Sequence, residues 1–333
     1  MLRNNSKNLL KQDKIVIIRS AIGSLASVGF IKLLKKWNFK IVGTDIVEEN
    51  VGNFFVDNFY KVPRAENENE VIKSYLSIAK KEKANWILSG PEEEIVILSK
   101  YKDVFKSTGV YMLHSDYNLL DIITDKYNAY KFFKKNDISL PRTKLALDIK
   151  DIVLENPQNR FILKPRKGRG STNIVVFSNS NNTIIRDLKN PQNYIIQEYI
   201  LGLEYTVDVL CDLYGCILNI VPRRRIKVDS GISVIGKTEK NETLISITEK
   251  ILSSIKIIGG ACFQFIKSNE TGEYYLTDVN PRFGGGVILS LASSRTFRDN
   301  LRNLLEFKWD KLLYKSYDFN ESKMFRYYDE IYK

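Results

Sequence analysis

The chain has 333 residues, 44% hydrophobic and 27% charged, with 18 Gly, 8 Pro and 3 Cys. It is too apolar for a disordered protein, too poor in Gly and Pro for a fibrous one, and three cysteines cannot complete a disulfide framework. Lys and Arg number 51 against 39 Asp and Glu, a formal net charge of +12, so nucleic acid, an anionic surface and an anionic small molecule all stand as partners to be separated.

The length suggests about two domains, with cores large enough to need no covalent staple. Residues 1–13 read as a polar N-terminal extension without the apolar stretch of a signal peptide. The sequence lacks a run of about 18 apolar residues, so no membrane span is expected. These features together point to a soluble protein of the reducing cytoplasm.

Ile15–Ile18 is a short apolar run, followed by a Gly/Ser turn and a helical pattern to about Trp37. Ile41–Gly43 leads to Asp45, and a polar helix from about Asn69 to Lys83 precedes Trp86–Leu88. Ser89-Gly90-Pro91 opens a helix with Glu92, Glu93 and Glu94 in its first turn, and Val110–Leu113 is a further strand. Strands separated by helical stretches build a parallel sheet, so residues 14–115 are expected to form one doubly wound α/β domain. The turn after the first strand, Ser20–Ser24, lacks G-x-G-x-x-G and gives weak support for a dinucleotide site. Asp45 stands where a ribose-binding acid would, or caps a turn. The three glutamates are accounted for by the helix dipole.

After about residue 120 the pattern changes to α+β. Asp125-Lys126 starts a helix running to Lys135, and strand-like runs follow at 161–164, 173–177, 194–200, 203–213 and 216–221. A helix around 243–256 precedes a strand pair at 260–267 and 273–279.

Three constellations in this half carry chemistry. Lys164-Pro165-Arg166-Lys167-Gly168-Arg169-Gly170-Ser171 is a basic glycine loop between strands, whose backbone amides can face an anion. It lacks the spacing of a Walker loop, and a hairpin turn with solvated cations explains it equally well. Asp278 and Asn280 alternate along a strand and so share a face, with Gln264 placed to lie opposite on the preceding strand. Such an oxygen set suits Mg²⁺ completed by phosphate and water, although Asn280-Pro281 also reads as the start of a turn. Gln197, Glu198, Gly202, Glu204 and Asp208 put polar groups among strand formers; a carboxylate there can accept ribose hydroxyls, or the residues simply face water. Arg223-Arg224-Arg225 is either an anion contact or a solvated loop. Zinc and nucleophilic triads are disfavoured, because His114 is the only histidine and Cys211, Cys216 and Cys262 sit in strand-like runs as small core residues.

Taken in order, these pieces resemble the ATP-grasp superfamily, and among its members single chains similar to one synthetase half of the carbamoyl phosphate synthetase large subunit. The ordered set is Asp125-Lys126, Lys164-Pro165 with the 168–171 loop, Gln197-Glu198 with Gly202 and Glu204, Gln264, and Asp278-x-Asn280-Pro281-Arg282. The resemblance implies a Rossmann-like pre-ATP-grasp domain over 14–115 and a two-lobed ATP-grasp domain over 116–333, with a small lobe at about 125–195 and a large lobe at about 196–310. It implies Lys126 and Lys164 on the α- and β-phosphates, and Gly168, Arg169, Gly170 and Ser171 closing over the triphosphate. It implies Gln197, Glu198 and the backbone of Ile200 near adenine, and Glu204 at the ribose. Gln264, Asp278 and Asn280 would hold Mg²⁺, or Mn²⁺ in its place, and Arg282, with Lys164 and Arg169, would serve phosphoryl transfer. Two departures stand out: the second-strand acid is Asp278 where Glu is usual, and the first-strand ligand is the neutral Gln264.

The implied activity is ligation of a small-molecule carboxylate to an amine (or thiol) through an acyl phosphate, with ATP converted to ADP and phosphate. The alternatives are carbamoyl phosphate synthetase-like phosphorylation of bicarbonate or carbamate, and a nucleotide-binding regulatory protein without turnover. No nucleic-acid or membrane partner is expected, and the resemblance makes a homodimer a further expectation. Residues 222–236 are the expected closing substrate loop.

Overall fold

The computed structural model describes residues 14–148, 160–168, 174–178 and 188–332. The N-terminal part holds β1 (Val16–Ser20), α1 (Leu25–Lys36), β2 (Lys40–Asp45), β3 (Asn58–Lys61), α2 (Glu68–Glu82), β4 (Trp86–Leu88), α3 (Glu92–Lys100), α4 (Lys102–Ser107) and β5 (Tyr111–Met112). Its five strands are all parallel, in the order β3-β2-β1-β4-β5. β1 and β4 are buried throughout, which is why they read as short apolar runs. Edge strand β3 is partly exposed and polar at both ends, so its pattern carries no comparable signal. Ser24 caps α1 by accepting from the Ala26 amide, and Phe30, Ile31 and Leu34 recur at helical spacing on its buried face.

Next come α5 (Tyr117–Ile123), α6 (Lys126–Lys135), β6 (Thr143–Leu145), β7 (Arg160–Pro165), β8 (Val175–Ser178) and β9 (Tyr194–Glu198). These strands form a small antiparallel sheet, β6-β9-β7-β8, over a core of Ala146, Phe161, Leu163, Phe177 and Ile196.

The third sheet is antiparallel and larger. β10 (Gly202–Cys211), β11 (Ile217–Asp229), β12 (Ile232–Thr238), α7 (Glu242–Ser254), β13 (Gly259–Ser268), β14 (Tyr274–Asn280), α8 (Val287–Ser293), α9 (Arg295–Leu305) and β15 (Lys323–Phe325) follow in the chain. The strand order is β14-β13-β10-β11-β12-β15. One face puts Tyr205, Val207, Val209, Phe263 and Phe265 against Leu244, Ile251 and Leu252 of α7. Period-2 alternation therefore turns Glu204, Thr206, Asp208, Cys262 and Gln264 to the opposite face.

Residues 222–236 are not a loop. They form the far half of β11, the turn at Ser230-Gly231 and most of β12. The strand face they belong to is itself polar, so the alternation that marks a strand is masked by arginines on both sides. Helices α8 and α9, which the hydrophobic pattern did not single out, close the fold. Phe297, Leu301, Leu304 and Leu305 of α9 share one core with Ile17, Phe30, Leu34 and Trp86 of the N-terminal part. Trp86 Nε1 donates to the Leu305 carbonyl at 2.9 Å, and its ring stacks on Phe307 at 5.1 Å. Cys211 and Cys262 are buried as expected, but Cys216 is exposed. Among the described residues no helix is long and apolar enough to cross a membrane.

Candidate active site

A cleft of about 600 Å³ lies where the three sheets meet. The small sheet contributes Ile162, Lys164, Gln197 and Glu198, and the large sheet Glu204, Thr206, Arg225, Gln264, Asp278 and Asn280. The N-terminal part adds Arg19, Ser27 and Gly90, while Arg282 and Gly284–Gly286 close one end.

The oxygen-bearing set assembles as its spacing requires. Gln264 and Asp278 are register partners on β13 and β14, and Cys262 pairs with Asn280. Asn280 Nδ2 donates to Asp278 Oδ2 at 3.2 Å. A β-bulge underlies this arrangement: Phe265 pairs with Leu276 while Gln264 pairs with Asp278, leaving Thr277 as the extra residue. Without the bulge Asp278 would share the core-facing side of Leu276; the extra residue re-aims it into the cleft. One carboxylate and two carboxamides supply only part of an octahedral oxygen shell. They suit a hard divalent cation that arrives with phosphate and water oxygens. In keeping with this composition, no cluster of three His, Cys, Asp or Glu able to hold a metal occurs among the described residues.

Two lysines border this set. Lys164 is buried, donates from Nζ to the Thr277 carbonyl at 3.2 Å, and is brought down to about pKa 8 chiefly by that burial. Asp278 opposes this shift and Lys126 adds to it. Lys126 opens α6 and donates to the Gly168 carbonyl at 2.9 Å. The buried Asp125 caps α6 by accepting from the Tyr127 and Asn128 amides at 3.0 and 3.1 Å, and also holds Arg166 at 2.8 Å. Arg166 is thus committed to a structural pair. Arg169, Gly170 and Ser171 lie outside the described residues.

The opposite end is less charged. Gln197 donates to Thr143 Oγ1 at 2.9 Å and Glu198 pairs with Arg142 at 3.3 Å. Ile162, Ile174, Ile200 and Ile266 give this end an apolar lining. Glu204 lies 3.2 Å from Arg225, which also donates to Gln264 at 3.3 Å.

The arginine run is ordered strand, not solvated loop. Arg223 and Arg225 both line the cleft, but Arg223 is held by the buried Asp208 at 2.7 Å, and Ser290 donates to the same carboxylate at 2.6 Å. Arg223 packs against the Gly286 backbone so closely that a Cβ there would lie 2.3 Å from its Cζ.

Three buried charged residues escape sequence reasoning, of which Arg19 lines the cleft. Arg19, only 5% exposed, donates to the Leu88 carbonyl at 2.9 Å and to Ser27 at 3.2 Å, and burial followed by the charge of Arg282 brings it down to about pKa 10. Glu92 lies 3.5 Å from Arg282, and burial raises its carboxyl above the usual range. Glu94 is also buried and similarly raised. The helix dipole therefore does not exhaust the roles of the three glutamates. His114 is buried and accepts from the Ser89 amide at 3.1 Å, a structural role with its pKa pressed down to about 3 by burial. Asp45 binds the amides of Gly23 and Val47 at 2.9 and 3.0 Å, which is the turn-capping alternative.

Comparison with known proteins agrees with this architecture. The sequence matches the family described as ATP-grasp domain over residues 123–286, and the PylC-like N-terminal domain over residues 20–113. It is 32% identical over 147 residues to a D-alanine--D-alanine ligase of Petrotoga mobilis, covering 42% of this chain and 48% of that one. It is 24% identical over 276 residues to the carbamoyl phosphate synthase large chain of Clostridium beijerinckii, covering 77% of this chain and 25% of that one. The chain thus spans less than half the length of these curated relatives. Its fold resembles a biotin carboxylase from Campylobacter jejuni (TM-score 0.66, 14% identity, 90% of this chain and 73% of that one). It also resembles an L-amino acid ligase from Bacillus licheniformis (TM-score 0.66, 16% identity, 89% and 75%).

Proposed function

Because the chain belongs to the ATP-grasp superfamily, with a PylC-like N-terminal domain, we propose that it is an ATP- and Mg²⁺-dependent ligase joining a small-molecule carboxylate to an amine through an acyl phosphate. The observation that carries this reading is the convergence of Lys126, Lys164, Gln264, Asp278, Asn280 and Arg282 on one cleft, from two sheets, the start of α6 and the turn after β14.

A carboxylate is a poor electrophile, because its charge repels nucleophiles and its oxide is a poor leaving group. Transfer of the γ-phosphoryl of ATP to it gives ADP and an acyl phosphate, and attack by the amine then expels phosphate. Such chemistry needs charge neutralisation and in-line positioning more than a protein nucleophile. In this reading Lys126 and Lys164 hold the α- and β-phosphates, and Gly168 belongs to the loop that covers them. The isoleucine-lined end takes adenine beside Gln197, Glu198 and the Ile200 backbone, with Glu204 at the ribose. Gln264, Asp278 and Asn280 would hold Mg²⁺, which when bound neutralises phosphate charge. Arg282, steadied by Glu92 and Asn280, meets the phosphoryl group in transfer.

The test is ADP release from purified protein given ATP, Mg²⁺ and pools of carboxylates and amines, with Asp278→Ala as the control. ATP binding without substrate-dependent ADP release from any pool overturns the ligase reading in favour of a nucleotide-binding protein. A second reading, phosphorylation of bicarbonate or carbamate, is favoured by the neutral Gln264 and by the similarity to carbamoyl phosphate synthase over most of this chain; bicarbonate-stimulated ATPase activity without an amine requirement would select it.

A further inference from the structure

The metal-type oxygen set has a fixed cation on one flank. In the strand order β14-β13-β10-β11, Asp278 lies beside Gln264 on β14, while Arg225 reaches Gln264 from β11, across β10, on the other side. The Arg225 side chain is only 9% exposed, and its guanidinium is tied to three partners. It pairs with Glu204 at 3.2 Å and donates to Gln264 Oε1 at 3.3 Å. It also donates to the Gly231 carbonyl at 2.9 Å, in the turn between β11 and β12. Burial lowers its pKa and the charges of Glu204 and Asp278 oppose that shift; a guanidinium stays charged throughout. A permanent, partly desolvated positive charge thus rests on one oxygen of the metal set.

The surrounding charge suits a single dication. Asp278 is the only carboxylate among the three oxygen-bearing residues, and the charge of Lys164 already acts on it. Glu198 and Glu204, the other carboxylates among the described lining residues, are engaged with Arg142 and Arg225. Two dications about 3.5–4 Å apart repel strongly and need several carboxylates to hold them. The carboxamide oxygen of Gln264 has two lone pairs; one accepts from Arg225 and the other remains for one ion.

We propose that the cleft works with one divalent ion, and that the Arg225 guanidinium takes the place of a second as a standing cation against the nucleotide phosphates. The assignment rests on the ATP reading of the cleft and concerns only how positive charge is supplied there. Because Glu204, Gln264 and Gly231 hold the guanidinium before any nucleotide arrives, this charge needs no metal to be recruited and no side chain to be reordered. It also explains why an arginine on β11 spans a neighbouring strand to reach a neutral side chain.

Electron paramagnetic resonance titration with Mn²⁺ tests the proposal, using the whole protein saturated with the β,γ-imido analogue of ATP. One tightly bound Mn²⁺ per chain, with the uncoupled spectrum of a single ion, is expected. Two bound ions, or the exchange-coupled spectrum of a pair, overturn it, and this reading needs no variant. Gln264→Glu separates the effect of the guanidinium from that of a missing acid. It should still bind one Mn²⁺, because Arg225 pairs with the introduced carboxylate, whereas Gln264→Glu combined with Arg225→Gln should bind two. A second ion in Gln264→Glu alone, or a double variant that keeps one, overturns the role given to Arg225. Arg225→Gln by itself should weaken metal-free binding of the analogue about tenfold, the scale of a lost hydrogen bond to a charged group; unchanged metal-free affinity counts against the proposal. Analogue binding with one Mn²⁺ but no substrate-dependent ADP release keeps this assignment and removes the ligase reading. Two ions in a protein that does ligate do the reverse, and failure of the analogue to bind overturns both.

Discussion

Lys164 donates its ammonium proton to the carbonyl of Thr277, the one residue that the β13–β14 bulge leaves without a cross-strand partner. The same irregularity that turns Asp278 into the cleft therefore supplies an acceptor for the cation facing it. A lysine on the small sheet is thereby tied to the metal-type oxygen set on the large one.

The pH response follows from this buried lysine. Burial lowers Lys164 from 10.5 to about 8, so its charge is present below pH 8 and lost above it. Affinity for ADP should fall as pH rises through this range, and Lys164→Arg, which keeps its charge, should flatten the response. The stability effect has the opposite sense. Between about pH 8 and 10.5 the unfolded chain binds a proton that the folded chain does not, so this group makes unfolding harder as pH rises. Calorimetric titrations with ADP at stepped pH read the first effect, and thermal melts the second.

Asp278 supplies the only carboxylate of the three-residue oxygen set. Asp278→Asn should lower ADP formation by roughly two to three orders of magnitude, the range typical of losing a preorganised electrostatic contact. ADP affinity measured without Mg²⁺ should change little. Loss of affinity that persists without the metal would assign Asp278 to Lys164 alone.

The Asp208–Arg223 pair is buried on both sides, at 1% and 4% exposure. Asp208→Ala strands a guanidinium beneath the cleft floor and should cost about 3–5 kcal/mol, seen as a drop of several degrees in Tm. The double variant Asp208→Leu with Arg223→Met should recover much of that loss. If it does not, the pair also sets the cleft geometry through Gly286.

Asp125 caps α6 and holds Arg166, and Lys126 follows it directly. Asp125→Ala should cost about 1 kcal/mol as a lost cap. Its kinetic signature should be a KM for ATP that rises about tenfold with a smaller change in kcat, because the residue positions Lys126 and the Gly168 loop without touching the reacting atoms.

How much of this was legible depends on the reach of each signal. Asp278 and Asn280 share a face because alternate strand residues must, and Gln264 lies opposite because the two strands form a hairpin. The bulge left no trace, since it depends on which of two register choices packs better. Arg223 and Arg225 defeated the pattern in another way. A strand whose outward face is a charged cleft does not alternate between apolar and polar, so it reads as loop. Arg19, Glu92 and Glu94 are buried only by elements distant in the chain, and no local window reveals that. The closing helices α8 and α9 posed the same difficulty, because half of the core they complete comes from β1, α1 and β4.

That shared core has a consequence for synthesis. Trp86 waits for Leu305, a separation of 219 residues, before its indole N–H finds its acceptor. At about 5–20 residues per second the ribosome needs roughly ten to forty seconds to cover that distance. Through that interval Ile17, Phe30, Leu34 and Trp86 lack the apolar cover that α9 gives them in the finished fold. The parallel sheet is made well before the helix that completes its core, and through that interval the nascent chain carries an exposed greasy surface.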